Sequence, residues 1–184
     1  MGMDVYGLNP QIKSKEPQRP TTDDYRSPEW ADFQKKHEAW QEENAGVYFR
    51  NNVWWWRPLW DYVNQVCSKT LSETDYEAGH CNSGYEINKE QCKEISRILA
   101  EELLSGRTKE YKEAREKTLK ALPLVQCVHC NGTGQRNDEV VQGECNGCTG
   151  KGEVKHFDTS YPFDIDNVVQ FQKFVCSSGG FAIS

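Results

Sequence analysis

Cys127-Val128-His129-Cys130-Asn131-Gly132-Thr133-Gly134 and Cys145-Asn146-Gly147-Cys148-Thr149-Gly150-Lys151-Gly152 are two copies of one pattern, Cys-x-x-Cys-x-Gly-x-Gly. A two-residue gap lets both sulfurs of a pair reach one ion from a tight turn, and zinc favours tetrahedral thiolate coordination in closed structural sites. The glycines follow from that turn, since positive φ near the second cysteine costs glycine little. The 14 residues between Cys130 and Cys145 suit a hairpin that brings the pairs together. Cys127, Cys130, Cys145 and Cys148 are therefore read as ligands of one structural Zn2+ ion. Four thiolates leave no open position for a reactive water. His129 and His156 lie nearby as bystanders, and Cys67, Cys81, Cys92 and Cys176 lack ligand spacing. Unpaired cysteines of that kind behave as small buried hydrophobes.

These repeats resemble half of the cysteine-rich zinc domain of DnaJ-type chaperones, over about residues 124–157. Full domains of that family carry four repeats and two zinc ions, so two repeats imply one ion. No His-Pro-Asp signature of a J-domain occurs in the chain. The resemblance implies the ligand role of the four cysteines and does not imply chaperone activity.

Outward from the repeats, the flanks read as helices. Ser27-Pro28-Glu29 is a helix start, with Trp30, Phe33, His37 and Trp40 at helical spacing over 28–44. Asn88 caps a helix carrying Cys92, Ile95, Leu99 and Leu103 with Gly106 as its stop, and 108–122 is a charged helix ended by Pro123. Asp164 starts a last helix with a Val168, Phe171, Phe174, Val175 stripe, closed by Gly179-Gly180. Residues 3–6 and 181–183 read as short strands that can pair. Residues 68–85 are polar and without period, so they read as a long loop, and Asp75 and Glu77 as its solvated surface.

Tyr48-Phe49-Arg50-Asn51-Asn52-Val53-Trp54-Trp55-Trp56-Arg57-Pro58-Leu59-Trp60 is the densest aromatic cluster. Pro58 argues for a helix that begins near it and runs through Val66. Three consecutive tryptophans cannot share one core, because neighbours on a helix differ by about 100°. Two readings stay open: a core covered on both sides, or a platform for a planar anionic ligand such as a nucleotide. The second has Arg50, Asn51, Asn52, Trp54, Trp55, Trp56 and Arg57 as ligand-binding residues. Met1-Gly2-Met3-Asp4-Val5-Tyr6-Gly7, this block and Ser178-Gly179-Gly180-Phe181 also resemble small proteins of bacteriophages and bacteria, with 17–45 as an insertion. That resemblance brings no activity with it. It implies a setting in which a small protein antagonises a host defence signal.

Catalytic signatures are missing. His37-Glu38-Ala39-Trp40-Gln41 lacks the second histidine of a zinc-protease helix, and no phosphate-binding or dinucleotide fingerprint occurs. With 22 basic against 28 acidic side chains the net charge is −6, which repels the phosphate backbone that gives nucleic-acid binders most of their affinity. No run of about 18 apolar residues could span a bilayer, and no secretory segment opens the chain, so a cytoplasmic location is expected, the host cytoplasm if phage-encoded.

The sequence thus predicts a mainly helical α+β single domain with short terminal strands and an inserted zinc-bound β-hairpin. Residues 1–123 plus 158–184 would form the helical core domain, and 124–157 the zinc hairpin. The expected function is binding without turnover: capture of a small anionic, nucleotide-like ligand. The alternatives are an adaptor or chaperone-like module that engages a host protein through the zinc hairpin, and nucleic-acid binding.

Overall fold

In the computed structural model, which describes residues 2–184, the alternation of the first strand decides which way the sheet faces. β1 (Gly2–Gly7) buries Met3 and Val5 and turns Asp4 and Tyr6 to the opposite side. On one flank it pairs antiparallel with β2 (Tyr48–Asn52), Val5 opposite Phe49. On the other it pairs antiparallel with β8 (Phe181–Ile183), Val5 opposite Ile183, so the first and last strands lie side by side. β3 (Tyr85–Ile87) completes the order β2-β1-β8-β3. Met3, Val5, Phe49, Ile87, Phe181 and Ile183 form the buried face.

α2 (Val53–Val66) and α6 (Ile165–Ser178) supply the matching apolar surface, and α4 (Lys89–Ser105) packs against both helices. Phe171 and Phe174 of α6 meet Phe49 with ring centroids at 5.2 and 5.8 Å, and Phe181 at 5.8 and 5.7 Å. α4 starts at its Asn88 cap, where Asn88 and Gln91 bond each other's backbone, and stops at Gly106. α1 (Pro28–Glu43) buries Phe33 and Trp40, and the Trp40 indole donates to the Ser14 carbonyl at 2.8 Å.

α2 begins not at Pro58 but at Val53, five residues before it, because the Asn52 carboxamide accepts from the Trp54 and Trp55 amides at 3.0 and 3.2 Å. A proline in the second turn lacks only the N–H aimed at the Trp54 carbonyl and costs about 3 kcal/mol. Burying Trp56, Leu59, Trp60 and Val63, at about 1.5–3 kcal/mol each, outweighs that. Residues 68–85 are not a structureless loop either, since they contain α3 (Glu73–Ala78). Its cap is reciprocal: the Asp75 carboxylate accepts from the Ser72 amide and hydroxyl, both at 2.7 Å, and the Asp75 amide donates back to Ser72 Oγ at 3.2 Å.

Asp75 is accordingly buried rather than solvated, and it also accepts from Tyr85 Oη at 3.0 Å and Gln91 Nε2 at 3.2 Å. Burial alone would raise its pKa, but the hydrogen bonds from Ser72, Tyr85 and Gln91 prevail and lower it. A folded pKa below the unfolded value of about 3.9 stabilises the fold above that pH, and the contribution disappears as pH falls through the folded value. Asp75→Ala is expected to lower stability at neutral pH by about 2–3 kcal/mol in urea melts and to lack this part of the acid limb. An unchanged urea midpoint would show that the network contributes nothing.

The chain forms two compact units: one runs up to Lys109 and includes Phe163–Ser184, the other is Glu110–Pro162. α5 (Arg107–Ala121) lies mostly in the second unit, which is therefore wider than 124–157. Within it, Arg115 Nη2 donates to the Tyr161 carbonyl at 3.1 Å, just past a 3-10 turn at Phe157–Ser160. β4 (Val125–Gln126) pairs with β7 (Glu153–Val154), and β5 (Gln135–Asn137) with β6 (Gln142–Glu144), both antiparallel. Among the described residues no helix is long and apolar enough to cross a membrane.

Candidate metal centre

The two repeats fold into two equivalent loops. In the first, the Gly132 amide reaches the Cys127 carbonyl at 3.2 Å and the Thr133 amide the Cys130 carbonyl at 3.1 Å. In the second, Gly150 reaches Cys145 and Lys151 reaches Cys148, both at 3.2 Å. Asn131 and Thr149 hold the same place in each loop, and both sit at positive φ, 51° and 50°. A β-branched residue such as Thr149 rarely adopts that conformation, so the loop geometry overrides local preference there.

The loops interlock through their last glycines. A Cβ on Gly134 would lie 2.2 Å from the Gly150 carbonyl oxygen, and one on Gly152 would lie 2.3 Å from that of Gly132. The Cys127 amide donates to the Gly152 carbonyl and the Cys145 amide to the Gly134 carbonyl, both at 2.8 Å. Each loop thus completes the other, which explains why glycine recurs at this place in both repeats.

This clasp brings the four cysteines together, with every ligand sulfur within 4.8 Å of the others and all four side chains buried. Cys127 and Cys145 sulfurs are 3.9 Å apart, and Cys130 and Cys148 sulfurs 3.7 Å. Metal–sulfur bonds of about 2.3 Å in a tetrahedron place sulfurs about 3.8 Å apart, so the set fits a structural metal such as zinc. The Gly134 and Gly152 amides point at Cys130 Sγ and Cys148 Sγ, at 3.3 and 3.2 Å. Such N–H groups favour thiolate.

Without an ion the thiols cannot all ionise together. At Cys130, burial opposes ionisation, but the Gly134 amide and the neighbouring sulfurs bring the thiol down to about 7. At Cys148, burial and the sulfurs around it outweigh the Gly152 amide and push the thiol up to about 11. A divalent cation supplies the missing positive charge and favours thiolate at every position.

His129 is exposed, its ring against Gly147, and His156 accepts from the Asp158 amide at 3.3 Å through Nδ1, so neither joins the cluster. Burial pushes the Cys67 and Cys92 thiols up to about 12 and about 11, as expected of inert core cysteines. Cys81 and Cys176 are exposed.

The tryptophan block is contiguous in the fold but does not form one surface. Trp56 is completely buried, stacked on Trp60 at 5.5 Å and 11° and edge-on to Phe171 at 5.8 Å, with its indole N–H on the Gly79 carbonyl at 2.8 Å. As a ligand-stacking residue it is therefore a correction: the ring is closed off inside the core and its indole N–H is already bonded. Asn52 caps α2, and the Asn51 amide donates to Asn167 Oδ1 at 2.7 Å, which explains both residues without a ligand. Trp55 is half-buried, and Asn167 bonds its carbonyl at 3.3 Å. Arg50, Trp54 and Arg57 face outward, Arg50 with its Nε 3.6 Å from the Asp4 carboxylate. No family model, no curated protein and no solved structure matches the chain.

Proposed function

We propose that the chain is a non-enzymatic binding protein in which one zinc ion on Cys127, Cys130, Cys145 and Cys148 keeps Glu110–Pro162 folded so that its loops can engage a partner protein. The observation that carries this reading is the closed set of buried sulfurs, which leaves no coordination position for catalysis. Two apolar side chains of that unit face solvent: Val128, inside the first Cys-x-x-Cys, is 81% exposed, and Val140, between β5 and β6, is 84% exposed. Apolar side chains held out on a metal-stiffened loop suit protein recognition better than substrate turnover. The resemblance to small phage proteins agrees with a host factor as that partner.

The competing reading, a nucleotide-like anion near Arg50–Arg57, retains Arg50, Trp54 and Arg57 as outward-facing contacts. It is weaker with Trp56 in the core. Nucleic acid is disfavoured by the net charge of −6.

Native mass spectrometry of the purified protein is expected to give the polypeptide with one zinc ion and no retained nucleotide. In cells, a photo-crosslinking side chain at Val128 or Val140 is expected to capture a discrete partner that the same group at Lys117 does not. Zinc-free protein would remove the metal reading, and a co-purified nucleotide with no loop-specific adduct would favour the anion site.

A further inference from the structure

β2 lies at the end of the sheet, and the hydrogen bonding of its neighbour fixes which of its backbone groups are free. The Asp4 amide donates to the Ser184 carbonyl at 3.0 Å and the Ser184 amide to the Asp4 carbonyl at 2.7 Å, so Asp4 turns its backbone polar groups toward β8. Backbone direction alternates along a strand, so Met3, Val5 and Gly7 turn theirs toward β2, and the Gly7 amide indeed meets the Val47 carbonyl at 3.0 Å. Through the register, Phe49 and Asn51 spend their N–H and C=O groups on β1. Tyr48 and Arg50 therefore present theirs to the open edge, two residues or about 6.8 Å apart.

A groove of about 650 Å³ borders these residues. One wall is α1, with Glu38, Gln41 and Glu42, and the other is α6, with Gln170 and Lys173. Among the described residues Glu38, Glu42 and Lys173 take part in no ion pair. The Arg50 guanidinium is drawn over the outer face of the sheet toward Asp4, so its charge does not guard the edge.

We infer that this groove is a β-augmentation site: an extended segment of a partner protein, about four or five residues long, adds to β2 as a fifth strand. Alternating donors and acceptors at strand spacing match a peptide backbone, whereas a small anion would use the donors alone. The unpaired charges choose the side chains. Lys173 takes an acidic residue and the Glu38–Glu42 wall a basic one, so the segment carries both signs. This site lies in the unit that does not contain Cys127, Cys130, Cys145 and Cys148, and it stands or falls independently of the metal centre.

The test is selection of a random heptapeptide library on the intact zinc-loaded protein, followed by titration of a selected peptide. Charged peptides of mixed sign are expected, and binding should slow hydrogen exchange of the Tyr48 and Arg50 amides. N-methylation of the peptide at the residues that pair with β2 should weaken binding at least tenfold. Arg50→Pro removes a donor that the sheet does not use and should do the same with the fold intact by circular dichroism. If that variant does not fold, Lys173→Glu serves instead, and should weaken binding of peptides selected for an acidic residue. Failure to select any peptide, binding indifferent to N-methylation, displacement by inorganic phosphate, or occupancy of the edge by a second copy of the chain would each overturn the inference.

Discussion

Cys145→Ser is expected to release the metal and unfold Glu110–Pro162 while the sheet and its helices stay folded. The buried cluster of that unit is the four cysteines themselves with Val154 packed against them. Among the described residues no aromatic or leucine side chain of that unit is fully buried and able to take over. Structural zinc contributes roughly 10–16 kcal/mol in isolated zinc-finger peptides, far more than any other interaction in these loops. Removal of one thiolate also leaves Cys127, whose sulfur lies 3.9 Å from that of Cys145, facing a weaker neutral donor.

A chelator should reproduce the effect, and so should mild acid. The ligands bind as thiolates, so protons compete with the metal and retention falls as pH falls. Zinc release can be followed with a chromogenic chelator, and unfolding by hydrogen exchange at the Cys127 and Cys145 amides, which bond across the clasp to Gly152 and Gly134. A variant that keeps a full equivalent of zinc would refute the assignment.

Trp56→Ala is the second large effect, expected to cost about 3–5 kcal/mol. Against a total domain stability of about 5–15 kcal/mol, that brings the first unit close to unfolding at room temperature. The residue is fully buried, and its removal strips Trp60 of a stacking partner and Phe171 of an edge contact. It also deprives the Gly79 carbonyl of its donor, beside a backbone that already sits tight on Trp60. Trp54→Ala, two residues away and 39% exposed, is the control and should shift the urea midpoint little. Equal effects of the two changes would mean that the core is not where the structure puts it.

The contrast between those tryptophans is not encoded locally in the Trp54-Trp55-Trp56 run. That three in a row cannot face one way follows from helix geometry, but which one faces inward depends on where the helix begins. The start was hidden because Pro58 draws attention as a breaker, while the actual signal was Asn52, an ordinary cap two residues before the first tryptophan. α3 escapes a periodicity-based reading for a similar reason. Six residues show no apolar period, yet Ser72-x-x-Asp75 is a capping box and was legible as such. By contrast Asn88, Gly106 and the Val168–Phe174 stripe carried cap, stop and period together, and α4 and α6 lie where those signals put them.

At the cysteine cluster, spacing alone identifies the four side chains that come together, because a tight turn within each Cys-x-x-Cys pair is a local property. The crossing of Gly134 with Gly150 and of Gly152 with Gly132 was not legible. It is a relation between loops, and no local pattern encodes it.

Since each half is shaped by its twin's main chain, a lesion in one copy cannot be rescued by the intact sequence of the other, and the duplication gives no redundancy. Two repeats are therefore the smallest unit in which this clasp can close.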